Sequence, residues 1–322
     1  MGPIVSPPAA RSATVTAPRF AIATRDELWS GGTRLESRLS HGEAQQQGRE
    51  LRARDTRDHE LVTACDALAA SVVLDGIEGR LRVVASAKRV GDTRVDSVTL
   101  TVTRGALSIV TTPEHLREDL SLLVRPAATP MSREIPRSTP ILWRNGSAAV
   151  LLHEAAGHAA EHEHPPLEWP TWLTVHDEPH APIDDCGERA RIADLLREPP
   201  ASHRRESFRD VPLRRMSNLV ARQQGAPFVL PETRIEIHLL AGGVYEPLTE
   251  TISLFVTAAD FVDASGIHPL PPFEIRESRA AVAAAIAGAT GDPLRYPGVI
   301  CSSEGQDLVA GSHAPLLLTV FR

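Results

Sequence analysis

The sequence predicts an α+β protein: an N-terminal domain of mixed helices and strands, then a mostly antiparallel, β-rich C-terminal domain that carries one helix with the pattern HExxxH. Three observations predict it. Residues 81–111 hold three β-like runs, LRVVASA, VDSVTLTVT and ALSIVTT, separated by Gly-Asp and Arg-Gly breaks. Residues 234–240 and 249–258 alternate apolar with polar side chains, so each buries one face. Between these blocks, AAVLLHEAAGHAAEH reads as a helix, opened by a cap at Asn145 or Ser147 and stopped by Pro165 and Pro166.

The remaining elements follow in order. Residues 1–20 are rich in Pro, Ala and Ser and read as a flexible arm. They lack the basic and apolar regions of a secretory signal. Residues 25–74, rich in Glu, Arg, Gln, Ala and Leu, predict one or two helices. Pro113 opens a short helix, PEHLREDLSLLV, at a position that tolerates proline. The N-terminal domain thus spans residues 21–125. Four prolines mark residues 126–140 as a linker, and the C-terminal domain runs from 141 to 322. Residues 278–289 read as a helix, and PLLLTVF reads as a buried final strand.

A net charge of −7 argues against a nucleic-acid binder. Lys88 is the single lysine, so the basic charge reflects composition rather than a phosphate-binding surface. No apolar run reaches the length of a membrane span. Cys65, Cys186 and Cys301 are few, odd in number and far apart. They form no disulfide framework, which points to a reducing cytoplasm and leaves thiols free for metal.

The chemistry concentrates at LLHEAAGHAAEHEH, residues 151–164. His153 and His158 offer lone pairs to a metal, and Glu154 is a base beside them. On a regular helix, residues five apart point about 140° apart. A π-bulge near Gly157 would bring both rings together, and glycine there would let backbone pass close to the metal. Alternatively, the helix is regular and Glu154, His158 and His162 share a face without His153. The favoured reading is the bulge. The plain alternative is a solvated polar helix end. Zinc usually takes three protein ligands. The third could be Cys186, Cys301, Glu161, Asp177 or His162.

Four ordered segments resemble the TldD/PmbA family of zinc-dependent peptidases. HEAAGHAAEH is similar to the family's HEAxGHxxE helix. TVHDEPHAPIDDCGE, residues 174–188, resembles its TVxDD…DDEG region. RRESFRDVPLRRMSN, residues 204–218, resembles its RRESxxxxPxxRMTN segment. VICSSEGQ, residues 299–306, resembles its GxCxKxGQ turn. The resemblance covers roughly residues 140–322 and implies zinc held by His153, His158 and Cys301, with Glu154 as general base. It also implies a catalytic-type subunit acting on flexible peptides, including leader or precursor processing in natural-product pathways. It further implies a homodimer, or a heterodimer with a PmbA/TldE-like subunit that lacks the motif. Departures exist: the chain is shorter than typical members, Ala159 follows the second histidine, Cys186 replaces an acid, and the turn's Lys is absent.

Arg204, Arg205, Arg215 and Asn218 are candidates for a substrate-binding wall, with Arg able to fork onto a carboxylate. Gly243 would admit the backbone of an extended peptide, although a simple turn explains it equally well. Tyr245 is a weaker oxyanion candidate, and Asp184 and Asp185 could orient a ligand. Two competing readings are a zinc amidohydrolase acting on a small biosynthetic intermediate and a non-catalytic partner subunit.

Overall fold

The structure is a computed structural model that describes residues 19–30, 33–47, 50–54, 62–63, 66–67, 79–90, 93–104, 107–122, 135–206, 209–225 and 227–321. The N-terminal strands are β1 (Arg19–Ser30), β2 (Thr33–Gln47), β3 (Glu50–Arg54), β4 (Gly79–Val90), β5 (Thr93–Arg104) and β6 (Leu107–Thr111). They pair antiparallel in the order β3-β2-β1-β4-β5-β6. Helix α1 (Leu116–Leu122) follows. Leu81, Val83 and Ala85 alternate inward and meet Ala23, Leu100, Val102 and Ile109. Leu116 and Leu120, one turn apart on α1, pack against this cluster.

The helices expected within residues 25–74 are replaced by strands wherever the structure describes them, apart from short helical pieces at 62–63 and 66–67. Helix propensity is a weak prior, and pairing of β1 with both β2 and β4 overrides it. Glu27 shows why a polar segment can still be a strand. Its carboxylate is buried, yet it accepts hydrogen bonds from Trp29 Nε1 at 3.0 Å, Arg34 Nη1 at 3.1 Å and Ser37 Oγ at 3.3 Å. The expected arm, except residues 19 and 20, lies outside the described residues, as does 126–134 of the linker.

Further on come β7 (Ile141–Trp143), α2 (Ala148–Leu152), a π-turn (His153–His158) and α3 (Ala159–Glu161). Five strands follow: β8 (Leu173–Asp177), β9 (Ala193–Asp194), β10 (His203–Arg204), β11 (Leu213–Arg214) and β12 (Asn218–Gln223). Next are β13 (Arg234–Glu246), β14 (Thr251–Asp263), β15 (Gly266–Leu270) and β16 (Phe273–Ser278). Helix α4 (Arg279–Ala285), β17 (Ile286–Ser303) and β18 (Gln306–Thr319) complete the chain. Among the described residues, a mixed sheet runs β15-β14-β13-β7-β18-β17, and β12 pairs with β18. β7 lies parallel to β13, and β12 parallel to β18, so the C-terminal sheet is not wholly antiparallel. One register pair, Gly298 with Val110, joins it to the N-terminal strands.

Local expectations differ at two points. Ser147 does not cap α2; its hydroxyl donates to the Ile237 carbonyl at 3.1 Å and ties the helix start to β13. The helix over 278–289 ends at Ala285, because Ile286 already pairs with Thr319. Among the described residues, no helix is long and apolar enough to cross a membrane.

Gly146, at φ +72°, makes the turn from β7 into α2, and a Cβ there would lie 2.5 Å from the Leu294 carbonyl oxygen. Gly225 has a similar φ of +73° but open space around it. Gly225→Ala should cost about 1 kcal/mol from backbone strain alone, and Gly146→Ala clearly more, because the clash adds to the strain. Urea denaturation of both variants checks that order.

Candidate metal centre

The site is built on the helix that β7 launches. In the π-turn, the rings of His153 and His158 stand edge to face with centroids 4.8 Å apart. Widening the turn by one residue removes the angular divergence of a regular helix. Both rings direct Nε2 at one sulfur. His153 Nε2 is 3.3 Å and His158 Nε2 3.2 Å from Cys301 Sγ. Cys301 comes from β17, where strand alternation turns Ile300 outward and Cys301 inward. The three ligand atoms lie within 4.8 Å of one another.

Glu154 stands beside this cluster. Its Oε2 lies 3.7 Å from His158 Nε2 and has no hydrogen-bond partner among the described residues, although the side chain is buried. His153 Nδ1 is likewise buried without a partner among the described residues. Gly243 on β13 backs directly onto Glu154: a Cβ there would sit 2.5 Å from Glu154 Cγ. Gly157 serves packing rather than backbone approach to a metal, since its missing Cβ leaves room for Met216 Sδ, 2.2 Å from where that Cβ would be.

Burial acts on each group differently. It lowers His153 to about 3, helped by the neighbouring His158. It raises Glu154 to about 7; His158 opposes this and Glu161 reinforces it. Burial also disfavours charge on His158, but hydrogen bonds to Cys301 and Glu161 and the Glu154 carboxylate hold it well above the ordinary imidazole range. For Glu161, burial is outweighed by His158, Arg215 and the Met216 N–H, which bring it to about 2.

The other candidates for third ligand are engaged elsewhere. Glu161 Oε2 meets His158 Nδ1 at 2.8 Å, on the far side of the ring from the sulfur. Asp177 Oδ1 accepts from Ser217 N, Ser217 Oγ and Asn218 N, each at 2.9 Å. The His162 ring lies against Tyr245, with centroids 6.1 Å apart. Cys186 belongs to a separate cluster with Asp184 and His203. There, Asp184 Oδ1 accepts the N–H groups of Cys186 and Glu188, and Oδ2 accepts that of His203, each at 2.9 Å.

The expected wall residues make internal contacts. Arg204 donates to the carbonyls of Met216, at 2.7 Å, and Val309. Arg205 is held by Asp185, whose carbonyl accepts Nη2 at 2.7 Å. Asn218 Nδ2 donates to the Glu178 carbonyl at 2.9 Å. Arg215 reaches the cluster itself: Nη2 lies 2.5 Å from Cys301 Sγ, and Nε lies 3.1 Å from Glu161 Oε2. Sequence reading missed this double contact. The i, i+3 spacing of His158 and Glu161 was a usable signal for their pairing; nothing local signalled Arg215. Tyr245 stacks parallel to His158 at 6.4 Å, so its ring packs beside the site.

Burial and the nearby Asp184 carboxylate push the Cys186 thiol up to about 11. At pH 8 it is therefore almost wholly protonated, and the reactive thiolate grows as pH rises toward 11. Alkylation of this half-buried thiol, followed by peptide mass spectrometry, should accelerate about tenfold per pH unit from 8 to 10. A plateau by pH 9 would contradict that environment.

No family model matches the sequence, and no curated protein matches it. Solved structures do. TldE from Thermococcus kodakarensis matches with a TM-score of 0.54 at 10% identity, over 94% of this chain and 95% of that one. A proposed modulator of DNA gyrase from Bacteroides thetaiotaomicron matches with a TM-score of 0.47 at 10% identity, over 95% and 94%. The fold of this chain is TldE-like.

Proposed function

We propose that this chain is a zinc-dependent peptidase of the TldD/PmbA type, with His153, His158 and Cys301 holding the metal and Glu154 as general base. One observation carries the reading: two imidazoles and a thiol converge beside a buried carboxylate oxygen that has no partner among the described residues. Zinc suits this donor set. A tetrahedral ion at ordinary Zn–N and Zn–S lengths separates its N and S ligands by about 3.5 Å. The two N···S distances here are 3.2 and 3.3 Å. Calcium and magnesium prefer oxygen ligands and do not suit it.

Bound zinc would act there as a Lewis acid and would acidify a water molecule. The chain's own residues supply the rest. Glu154, raised to about 7 by burial, is poised to take a proton from the attacking water and return it to the leaving amine nitrogen. Gly243, lacking a Cβ, leaves the room that the Glu154 side chain occupies. Arg204, Arg205 and Asn218 brace the loops around the site through their contacts with backbone and acids. The substrate class is flexible peptide, including leaders or precursors of a biosynthetic pathway. The setting is cytoplasmic, and the working form is a homodimer or a pair with a PmbA/TldE-like subunit.

The purified protein should carry stoichiometric zinc by metal analysis, and His153→Ala and Cys301→Ala should lose it. Glu154→Gln should keep the zinc and lose hydrolysis of unstructured peptides by about 10²–10⁴-fold. Gly243→Ala should lower hydrolysis in the same way, because its Cβ displaces Glu154. A zinc-loaded Glu154→Gln protein at full rate would rule out the assigned base, and a protein without zinc affinity would rule out the whole reading.

A further inference from the structure

Proton transfer by Glu154 leaves two charged side chains at the site without a role. Glu161 sits one helical turn beyond His158 and places Oε2 2.8 Å from His158 Nδ1. Its other oxygen accepts the Met216 N–H at 2.9 Å. Arg215 forms an ion pair with Glu161, Nε lying 3.1 Å from Oε2, and donates from Nη2 to Cys301 Sγ, 2.5 Å away. Both side chains are nearly inaccessible, at 5% and 7% exposure. One buried ion pair therefore touches a candidate ligand from the helix and another from a strand 143 residues later.

We propose that Glu161 and Arg215 are positioning residues for the metal: Glu161 orients the His158 ring, and Arg215 seats the Cys301 sulfur while holding Glu161. This rests on the zinc reading above. An Nδ1–H donated to Glu161 fixes the His158 tautomer that leaves the Nε2 lone pair facing the sulfur. The planar guanidinium keeps its charge within ion-pair reach of the carboxylate while Nη2 donates to the sulfur. Lysine, a single flexible point charge, cannot reproduce both. Among the described residues His153 has no such anchor, since its Nδ1 lacks a partner there. The orienting device thus acts on His158 and Cys301 and leaves His153 to packing.

The test measures zinc affinity by competition with a chromogenic chelator, and the sulfur-to-metal absorption band of the Co²⁺ form. The variants are Glu161→Gln and Arg215→Lys, with Asp66→Asn as control for loss of an ion pair made to Arg25 of β1. Glu161→Gln should bind zinc about 10–100-fold more weakly, as expected for loss of a histidine's outer partner. Arg215→Lys should weaken zinc in the same direction and shift the Co²⁺ band, and Asp66→Asn should do neither. Circular dichroism checks folding; should Glu161→Gln not fold, Arg215→Lys decides alone. Zinc affinities within twofold of wild type in the folded site variants, with an unchanged cobalt spectrum, would overturn the proposal and leave the zinc reading standing. Absence of zinc binding by the wild-type chain would overturn both.

Discussion

A sulfur atom on a strand facing two imidazoles on a distorted helical turn is the constraint on which the site depends. A regular helix would point residues 153 and 158 about 140° apart. The π-turn brings their ring centroids to 4.8 Å. Such a turn weakens the regular backbone ladder, so it persists only where its surroundings support it. Here they do. Gly157 gives Met216 its space, and Arg279 of α4 donates from Nε to the Ala155 carbonyl at 3.2 Å. The same guanidinium donates to the Pro165 carbonyl and to Glu250, both at 2.9 Å. It thereby ties the widened turn to the chain that leaves the helix.

That geometry also sorts the charges. Glu154 and Glu161 belong to one short helical stretch, yet they are pushed in opposite directions. Glu154 has no donor on Oε2 among the described residues, and burial raises it to about 7. Glu161 faces His158, Arg215 and a backbone N–H, and falls to about 2. Two carboxylates whose environments separate them in this way suit different tasks: one exchanges protons, and the other stays ionised and orients its neighbours. The difference arises from what each touches, since the residue type is the same.

The parts of this arrangement legible in sequence were those written locally. β4 to β6 announced themselves by alternation and turn residues, because one face of each is buried against the other strands. His153, Glu154 and His158 were visible as a contiguous motif, and its spacing already required a bulge if both rings were to share an ion. The segment over β1 and β2 misled because Glu, Arg and Gln favour helices when nothing else acts. Only pairing across the sheet, with Glu27 buried among donors 2, 7 and 10 residues away, makes them strand residues. The contact of Arg215 with Cys301 was illegible for a simpler reason. It joins positions 86 residues apart, and no local pattern encodes which side chains two distant segments will bring together. Cys301 was one of five candidate third ligands in the sequence, and family resemblance singled it out, since a lone cysteine is otherwise a packing residue.

Strand register is what converts that fold into chemistry. Side chains alternate across a strand, so a slip of one residue in β17 would turn Cys301 outward and bring Ile300 to the two rings. The structure guards this register near the site. β17 is bulged between Tyr296 and Val299, yet Cys301 still pairs with Leu308. Tyr296 lies on the same strand, buried, and its hydroxyl both accepts from Leu240 N at 2.9 Å and donates to Leu240 O at 3.2 Å. This phenol therefore pins β17 to β13 only three residues before Gly243, the position that backs onto Glu154. The sulfur and the carboxylate are thus referenced to one another through two strands, while the imidazoles are referenced to β13 through Ser147 and the Ile237 carbonyl. Imidazoles, thiol and carboxylate arrive together because the same strand anchors both routes.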